Sequence, residues 1–94
     1  MVRYRIQVRG IVQGVGFRPF VFREAVSRAL AGYVLNTGSG VTIEIEGDSA
    51  ACESFLTALS AKAPPLSRVQ HIEKIELPPT GQRGWRRRSP EAGR

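Results

Sequence analysis

The sequence predicts a single α+β domain, an antiparallel sheet with two helices on one face, in the chain order βαββαβ. Three observations predict it. Apolar and polar residues alternate with period two over residues 3–9 and 41–46, which marks strands. Two other stretches each carry one apolar stripe at helical spacing. Glycines and the Pro64-Pro65 pair fall between these segments, where turns belong.

Tyr4, Ile6 and Val8 alternate with Arg3, Arg5, Gln7 and Arg9, so the first strand has one apolar and one basic face. A glycine-bearing loop follows over residues 10–18. Pro19 suits the first position of a helix, where its missing N–H costs nothing. Phe22, Ala25, Val26, Ala29 and Leu30 supply that helix's apolar stripe, and Gly32 is expected to end it. Tyr33-Val34-Leu35 reads as a short strand and Asn36-Thr37-Gly38-Ser39-Gly40 as a turn. Val41, Ile43 and Ile45 alternate with Thr42, Glu44 and Glu46 in the partner strand of a hairpin, which Gly47 breaks. Asp48 or Ser49 can cap a second helix by accepting from its free N–H groups. Cys52, Phe55, Leu56 and Leu59 share one face of it, and Pro64-Pro65 stops it. The last main strand falls within residues 69–77, where Val69, Ile72, Ile75 and Leu77 fit no single period. A short fifth strand over residues 82–86 is the final candidate element.

Packed economically, these elements form the ferredoxin-like split βαβ arrangement. Right-handed crossovers then place the first and third strands side by side and antiparallel. Arg3, Arg5 and Arg9 on the outer face meet Glu44 and Glu46 of the neighbour, each opposite-charge pair contributing about 0.2–1 kcal/mol.

Length and charge bound the function. A chain of 94 residues buries enough surface for one core. The net charge is +6, but residues 1–80 carry nine Lys/Arg against seven Asp/Glu, while residues 81–94 carry five Arg and one Glu. The basic excess therefore lies mostly in the tail. The domain is expected to span residues 1–86, with 87–94 a disordered or linker segment. A nucleic-acid role is disfavoured on these grounds, and because the outer sheet face presents Arg, Gln, Thr and Glu rather than the aromatics of an RNA-binding sheet. No apolar run approaches the ~20 residues of a membrane helix. The single Cys52 excludes an internal disulfide and a cysteine-based zinc site, and a cytoplasmic location is the default expectation. Cys52 and His71 read as structural, whereas Trp85 either anchors the last strand or stays partly exposed.

Chemistry points to Gln13-Gly14-Val15-Gly16-Phe17-Arg18. Glycines let the backbone turn sharply and approach a ligand. The loop runs into a helix start, where amides are unpaired and the dipole is positive. Arg18 adds a planar, permanently charged fork. Together these suit a phosphate or sulfate ion, although a glycine loop can also be only a tight turn. The Walker A and dinucleotide patterns both fail here, the first for lack of Gly-Lys-Ser/Thr and the second for its third small residue. Asn36 is the second candidate. As a residue it can be a turn former, but the split βαβ topology brings it to the loop's edge of the sheet, where its amide could hold a water in line with phosphorus. No His, Asp or Glu lies in the loop or beside Asn36 in sequence. A phosphate monoester normally needs a general acid or a metal to help its leaving group depart. An acyl phosphate releases a carboxylate that needs no proton, so this residue set suits a small-molecule acyl phosphate.

The blocks Gly10-Ile11-Val12-Gln13-Gly14-Val15-Gly16-Phe17-Arg18 and Gly32-Tyr33-Val34-Leu35-Asn36-Thr37-Gly38-Ser39-Gly40-Val41 resemble the two signatures of the acylphosphatase family. The resemblance covers about residues 3–86. It implies the ferredoxin-like fold and hydrolysis of acyl phosphates without metal or cofactor. It also implies a phosphate-binding arginine at Arg18, a water-orienting asparagine at Asn36 and a backbone cradle over Gln13, Gly14, Val15, Gly16 and Phe17. Phe17-Arg18-Pro19-Phe20-Val21 and Ala63-Pro64-Pro65-Leu66-Ser67-Arg68-Val69 are similar to the N-terminal domain of hydrogenase-maturation carbamoyltransferases. That branch implies carbamoyl phosphate as substrate and further domains of a larger parent. A free-standing acylphosphatase and a non-catalytic anion-binding module are the other readings.

Overall fold

Alternation in the first strand and in the hairpin strand has the expected result. A computed structural model, which describes residues 1–12, 14–65 and 67–85, contains β1 (Val2–Ile11), α1 (Phe17–Val26), β2 (Ala31–Thr37), β3 (Gly40–Gly47), α2 (Ser49–Ala61) and β4 (Arg68–Leu77). The strands pair antiparallel in the order β2-β3-β1-β4. Ile6 and Val8 of β1, Val34 of β2, and Val41, Ile43 and Ile45 of β3 share one cluster with Phe17, Phe20, Val21 and Ala25 of α1 and Cys52, Phe55 and Leu59 of α2. Both helices therefore cover the same sheet face, in the ferredoxin-like α+β arrangement. The tail at 87–94 and residue 86, the end of the expected domain and of the fifth strand, lie outside the described residues.

α1 buries a different stripe from the one its spacing suggested. Phe17, Phe20, Val21 and Ala25 point into the core, while Phe22 and Val26 are 43% and 49% exposed. The helix begins at Phe17, so its first turn carries two phenyl groups, and the core takes the face that buries both. Gly32 does not end this helix. Its last residue is Val26; the following turn closes at Ala29 in the left-handed region, and Leu30 is buried from that turn. Gly32 lies inside β2, where a Cβ would sit 1.8 Å from the Glu44 carbonyl oxygen, so no side chain fits there. The hairpin turn is only Gly38-Ser39, so Asn36 is a strand residue opposite Val41. Asp48 caps α2 by accepting from the Ala50 N–H at 3.1 Å. Ala58 joins the buried face of that helix, and Leu56 is half-buried.

The irregular apolar pattern of β4 has a cause. Its pairing with β1 slips between Arg9 opposite His71 and Gly10 opposite Val69, leaving Gln70 as an extra residue. The bulge puts Val69 and Ile72 on the same face despite odd spacing. Ile75 and Leu77 point the other way, opposite Arg5 and Arg3. His71 is exposed beside Glu73, at 3.1 Å. Among the described residues no helix is long and apolar enough to cross a membrane.

The outer face departs most from expectation. The register sets Arg3 opposite Glu46 and Arg5 opposite Glu44, as the alternation implied, while Arg9 faces Gly40. Yet Arg3, Glu44 and Glu46 are buried, at 4%, 5% and 2% exposure. Arg3 lies 2.7 Å from Glu44 and 2.9 Å from Glu46, Arg5 donates to Glu44 at 3.0 Å, and the Tyr33 hydroxyl donates to Glu44 at 2.7 Å. The chain after β4 crosses this face as a strap. The Thr80 and Gly81 N–H groups donate to Glu46 at 2.8 and 2.7 Å, and the Gln82 amide donates to the Gly32 carbonyl at 3.2 Å. The strap reaches Trp85, whose isolated parallel bridge to Gly32 stands where a fifth strand was expected. A buried pair whose members are all hydrogen-bonded is costly to break from one side.

Burial alone would raise the Glu46 carboxyl, but the Thr80 N–H, Arg3 and the Gly81 N–H outweigh it and hold it down at about 2, against an ordinary 4.5. A lowered folded value means that this carboxylate's contribution is complete above pH 4.5 and drains away as pH falls toward 2. Glu46→Gln is therefore expected to lower stability at pH 7 by about 3 kcal/mol and to flatten the loss of stability between pH 4.5 and 2. Urea midpoints at neutral and acid pH check both parts; an unchanged acid slope would assign the acid sensitivity to other groups.

Candidate functional site

The end of β1 and the start of α1 are pinned by apolar residues, and the polar groups between them are left facing solvent. Val12 is buried ahead of the loop, and Phe17 and Phe20 are buried after it, their rings 5.5 Å apart and tilted by 55°. Gly14 and Gly16 are exposed and take φ of 72° and 82°, in the left-handed region that glycine enters without strain. A Cβ at either position would meet nothing within 4 Å, so backbone conformation rather than space demands glycine there. Gly16 is the N-cap of α1 and has no side chain to offer, so the first helical N–H groups lack a side-chain cap. Gln13, the first residue of the expected cradle, lies outside the described residues.

Arg18 stands exposed between the two buried phenyls. The ion pairs among the described residues involve Arg3, Arg5, Arg28, His71 and Lys74, and none occupies Arg18. Asn36 reaches the same place from β2. Strand register decides this: Val34 and Asn36 oppose Ile43 and Val41, whose side chains lie on the helix-bearing face. Gly14, Gly16, Phe17, Arg18 and Asn36 thus line one cleft of about 170 Å³, together with Val12 and Pro19. Val15 packs against the core beneath the loop and does not line this cleft. The described lining offers a guanidinium, a carboxamide and backbone amides, with no carboxyl, imidazole or thiol. Such a set can hold and polarise an oxyanion but has no titratable proton to give near neutral pH.

A second cleft, of about 390 Å³, adjoins the first and shares Arg18 and Pro19 with it; Phe22, Val34 and Trp85 complete its wall. Sequence reasoning assigned Phe22 to the core and left Trp85 undecided. Two of the three were readable: Phe22 follows Arg18 by four residues on a helix, and Val34 precedes Asn36 by two on a strand, so each shares its neighbour's face. Trp85 carried no local signal, because the strap delivers it.

Fold and site together define a small α+β domain with an anion-sized cleft between its first loop and second strand. The chain belongs to the acylphosphatase family, whose model matches residues 4–86. It is 52% identical over 79 residues to the carbamoyltransferase HypF of Rhizobium leguminosarum bv. viciae, covering 84% of this chain and 10% of that protein. It is 45% identical over 82 residues to an acylphosphatase of Thermotoga petrophila, covering 86% of this chain and 90% of that one. A crystal structure of full-length HypF in a phosphate- and nucleotide-bound form superposes with a TM-score of 0.87 at 38% identity, over 89% of this chain and 11% of the other. The chain thus spans about a tenth of the HypF relatives and nearly all of the small acylphosphatase.

Forcing a side chain into the left-handed turn at Gly16 strains the backbone without creating a clash. Gly16→Ala is expected to cost about 1–2 kcal/mol, read as a lower urea midpoint with an unchanged m value. A neutral substitution would mean that the turn does not need its left-handed conformation.

Proposed function

We propose that this domain hydrolyses acyl phosphates, and that within a larger hydrogenase-maturation carbamoyltransferase its substrate is carbamoyl phosphate. The convergence of Arg18, Asn36 and the uncapped glycine turn on one cleft carries this reading. The phosphoryl oxygens sit against the loop amides of residues 13–17 and the Arg18 fork, which match a tetrahedral dianion in charge and geometry. The Asn36 carboxamide orients a water for in-line attack. The water oxygen bonds to phosphorus as the bond from phosphorus to the acyl oxygen breaks. The carboxylate departs with the electron pair, and the water's proton passes to a phosphoryl oxygen, giving dihydrogen phosphate. No side chain has to donate a proton, in keeping with the described lining of the cleft. The catalytic contribution is positioning and charge stabilisation of a loose phosphoryl transition state.

Likeness to HypF over a short part of its length supports a larger parent, and likeness to a small acylphosphatase over most of its length supports hydrolysis by the domain itself. A cytoplasmic location accompanies this reading.

Arg18→Ala is expected to lower kcat/KM for carbamoyl phosphate by about 10²–10³-fold, and Asn36→Ala to lower kcat while inorganic phosphate still competes. Phosphate monoesters should be inert. A folded Arg18→Ala protein with undiminished hydrolysis would sink the mechanism; tight phosphate binding without turnover in the unaltered protein would leave an anion-binding module.

A further inference from the structure

The two edges of the sheet are treated differently. At β2 the Trp85 bridge covers Gly32. At the other end β4 pairs with β1 on one side and, among the described residues, with no strand on the other. We propose that this open edge pairs with the same edge of a second copy of the chain, antiparallel about a two-fold axis at Ile75, so that one sheet runs continuously across a dimer. The inference is independent of the hydrolytic reading: β4 lies two strands away from Asn36, and the pairing leaves the anion cleft open.

Backbone direction settles which groups are on offer. A Cβ on Gly40 would meet the Val8 carbonyl oxygen at 1.9 Å, so Val8 addresses β3. Backbone groups of alternate residues point to opposite sides of a strand, so Arg5 and Gln7 address β4. Their partners Ile75 and Glu73 therefore point back at β1, and Ile72, Lys74 and Glu76 aim N–H and C=O groups at the open edge. Native edges are usually blunted by proline, a bulge or short length. β4 has ten residues and no proline, and its bulge is confined to Gln70.

Charge selects the partner and the register. A two-fold axis perpendicular to the sheet opposes residues of the same face. Centred on Ile75, it sets Lys74 opposite Glu76 twice, as opposite charges whose backbones exchange the outward hydrogen bonds. Ile75, 54% exposed, meets its own copy in the closer, non-hydrogen-bonded pair and leaves water. Axes at Glu73, Lys74 or Glu76 would set like charges face to face, and an axis at Ile72 would run the pairing into the bulge. Lys74 is already held on the helix side of the sheet, 4.8 Å over the Tyr4 ring and 3.6 Å from Glu53. The strand is thus self-complementary in one register, which a second copy of this chain satisfies. So short a contact belongs with small, transient interfaces.

Sedimentation equilibrium on the whole 94-residue chain tests this. Over about 1 µM to 1 mM protein, the mean mass should climb from the 10.3 kDa of one chain toward that of two. Ile75→Lys should abolish the climb. Lys74→Glu and Glu76→Lys each set like charges across the axis and should weaken self-association about tenfold. An equimolar mixture of those two variants should associate again, because the lysines of one chain then face the glutamates of the other. Val26→Ser, exposed on α1 away from this edge, should change nothing. Urea midpoints for each variant separate lost pairing from lost folding. A monomer at every concentration, a dimer that survives Ile75→Lys, or a mixture no tighter than its components would overturn the proposal. Growth beyond two copies would overturn the closed two-fold arrangement. Loss of hydrolysis with the dimer intact would count against the hydrolytic reading alone.

Discussion

Register between β1 and β3 governs everything else in this domain. Side chains alternate along a strand, so a one-residue slip of β1 against β3 would turn Ile6 and Val8 toward the strap and Arg3 into the helix-covered core. Arg3, held between Glu44 and Glu46, makes that slip prohibitive: its charges are satisfied in one register and stranded in the other. Because β2 pairs onto β3, the same register puts Asn36 on the helix side, facing the loop. The buried charges on one face of the sheet therefore place the polar chemistry on the other.

The strap extends this influence. Glu46 accepts from two consecutive backbone N–H groups of the strap as well as from Arg3, so one carboxylate fastens β1, β3 and the chain beyond β4. That chain then runs to the open edge of β2 and sets Trp85 beside Arg18. An exposed edge invites pairing with other chains, and the bridge at Gly32 covers part of it. Apolar wall and edge protection come from the same few residues.

The cleft is built from parts of opposite character. Val12, Phe17 and Phe20 are buried and immobilise the two ends of the loop, whereas Gly14, Gly16, Arg18 and Asn36 stay in solvent. Preorganisation of this kind keeps amide dipoles aimed at an anion without reorganising when it arrives.

Much of this was written in the chain. Alternation in residues 3–9 and 41–46 determined two strands and the opposition of Arg3 and Arg5 to Glu46 and Glu44, because period two leaves a strand little choice of face. The glycine turn leading into Pro19, with Arg18 beside it, marked the loop, because few residues other than glycine take its backbone conformation. Other features needed the third dimension. Which stripe of α1 is buried depended on what the core had room for, and the helix chose Phe17 and Phe20 over Phe22. The bulge at Gln70 hid the period of β4 until its partner strand was in place. Burial of Arg3, and the arrival of Trp85 at Arg18, were decided by a strap that carries no periodic signal. Local sequence specifies what a short segment prefers for itself; long-range closure specifies which surfaces end up touching, and no neighbouring residue records that.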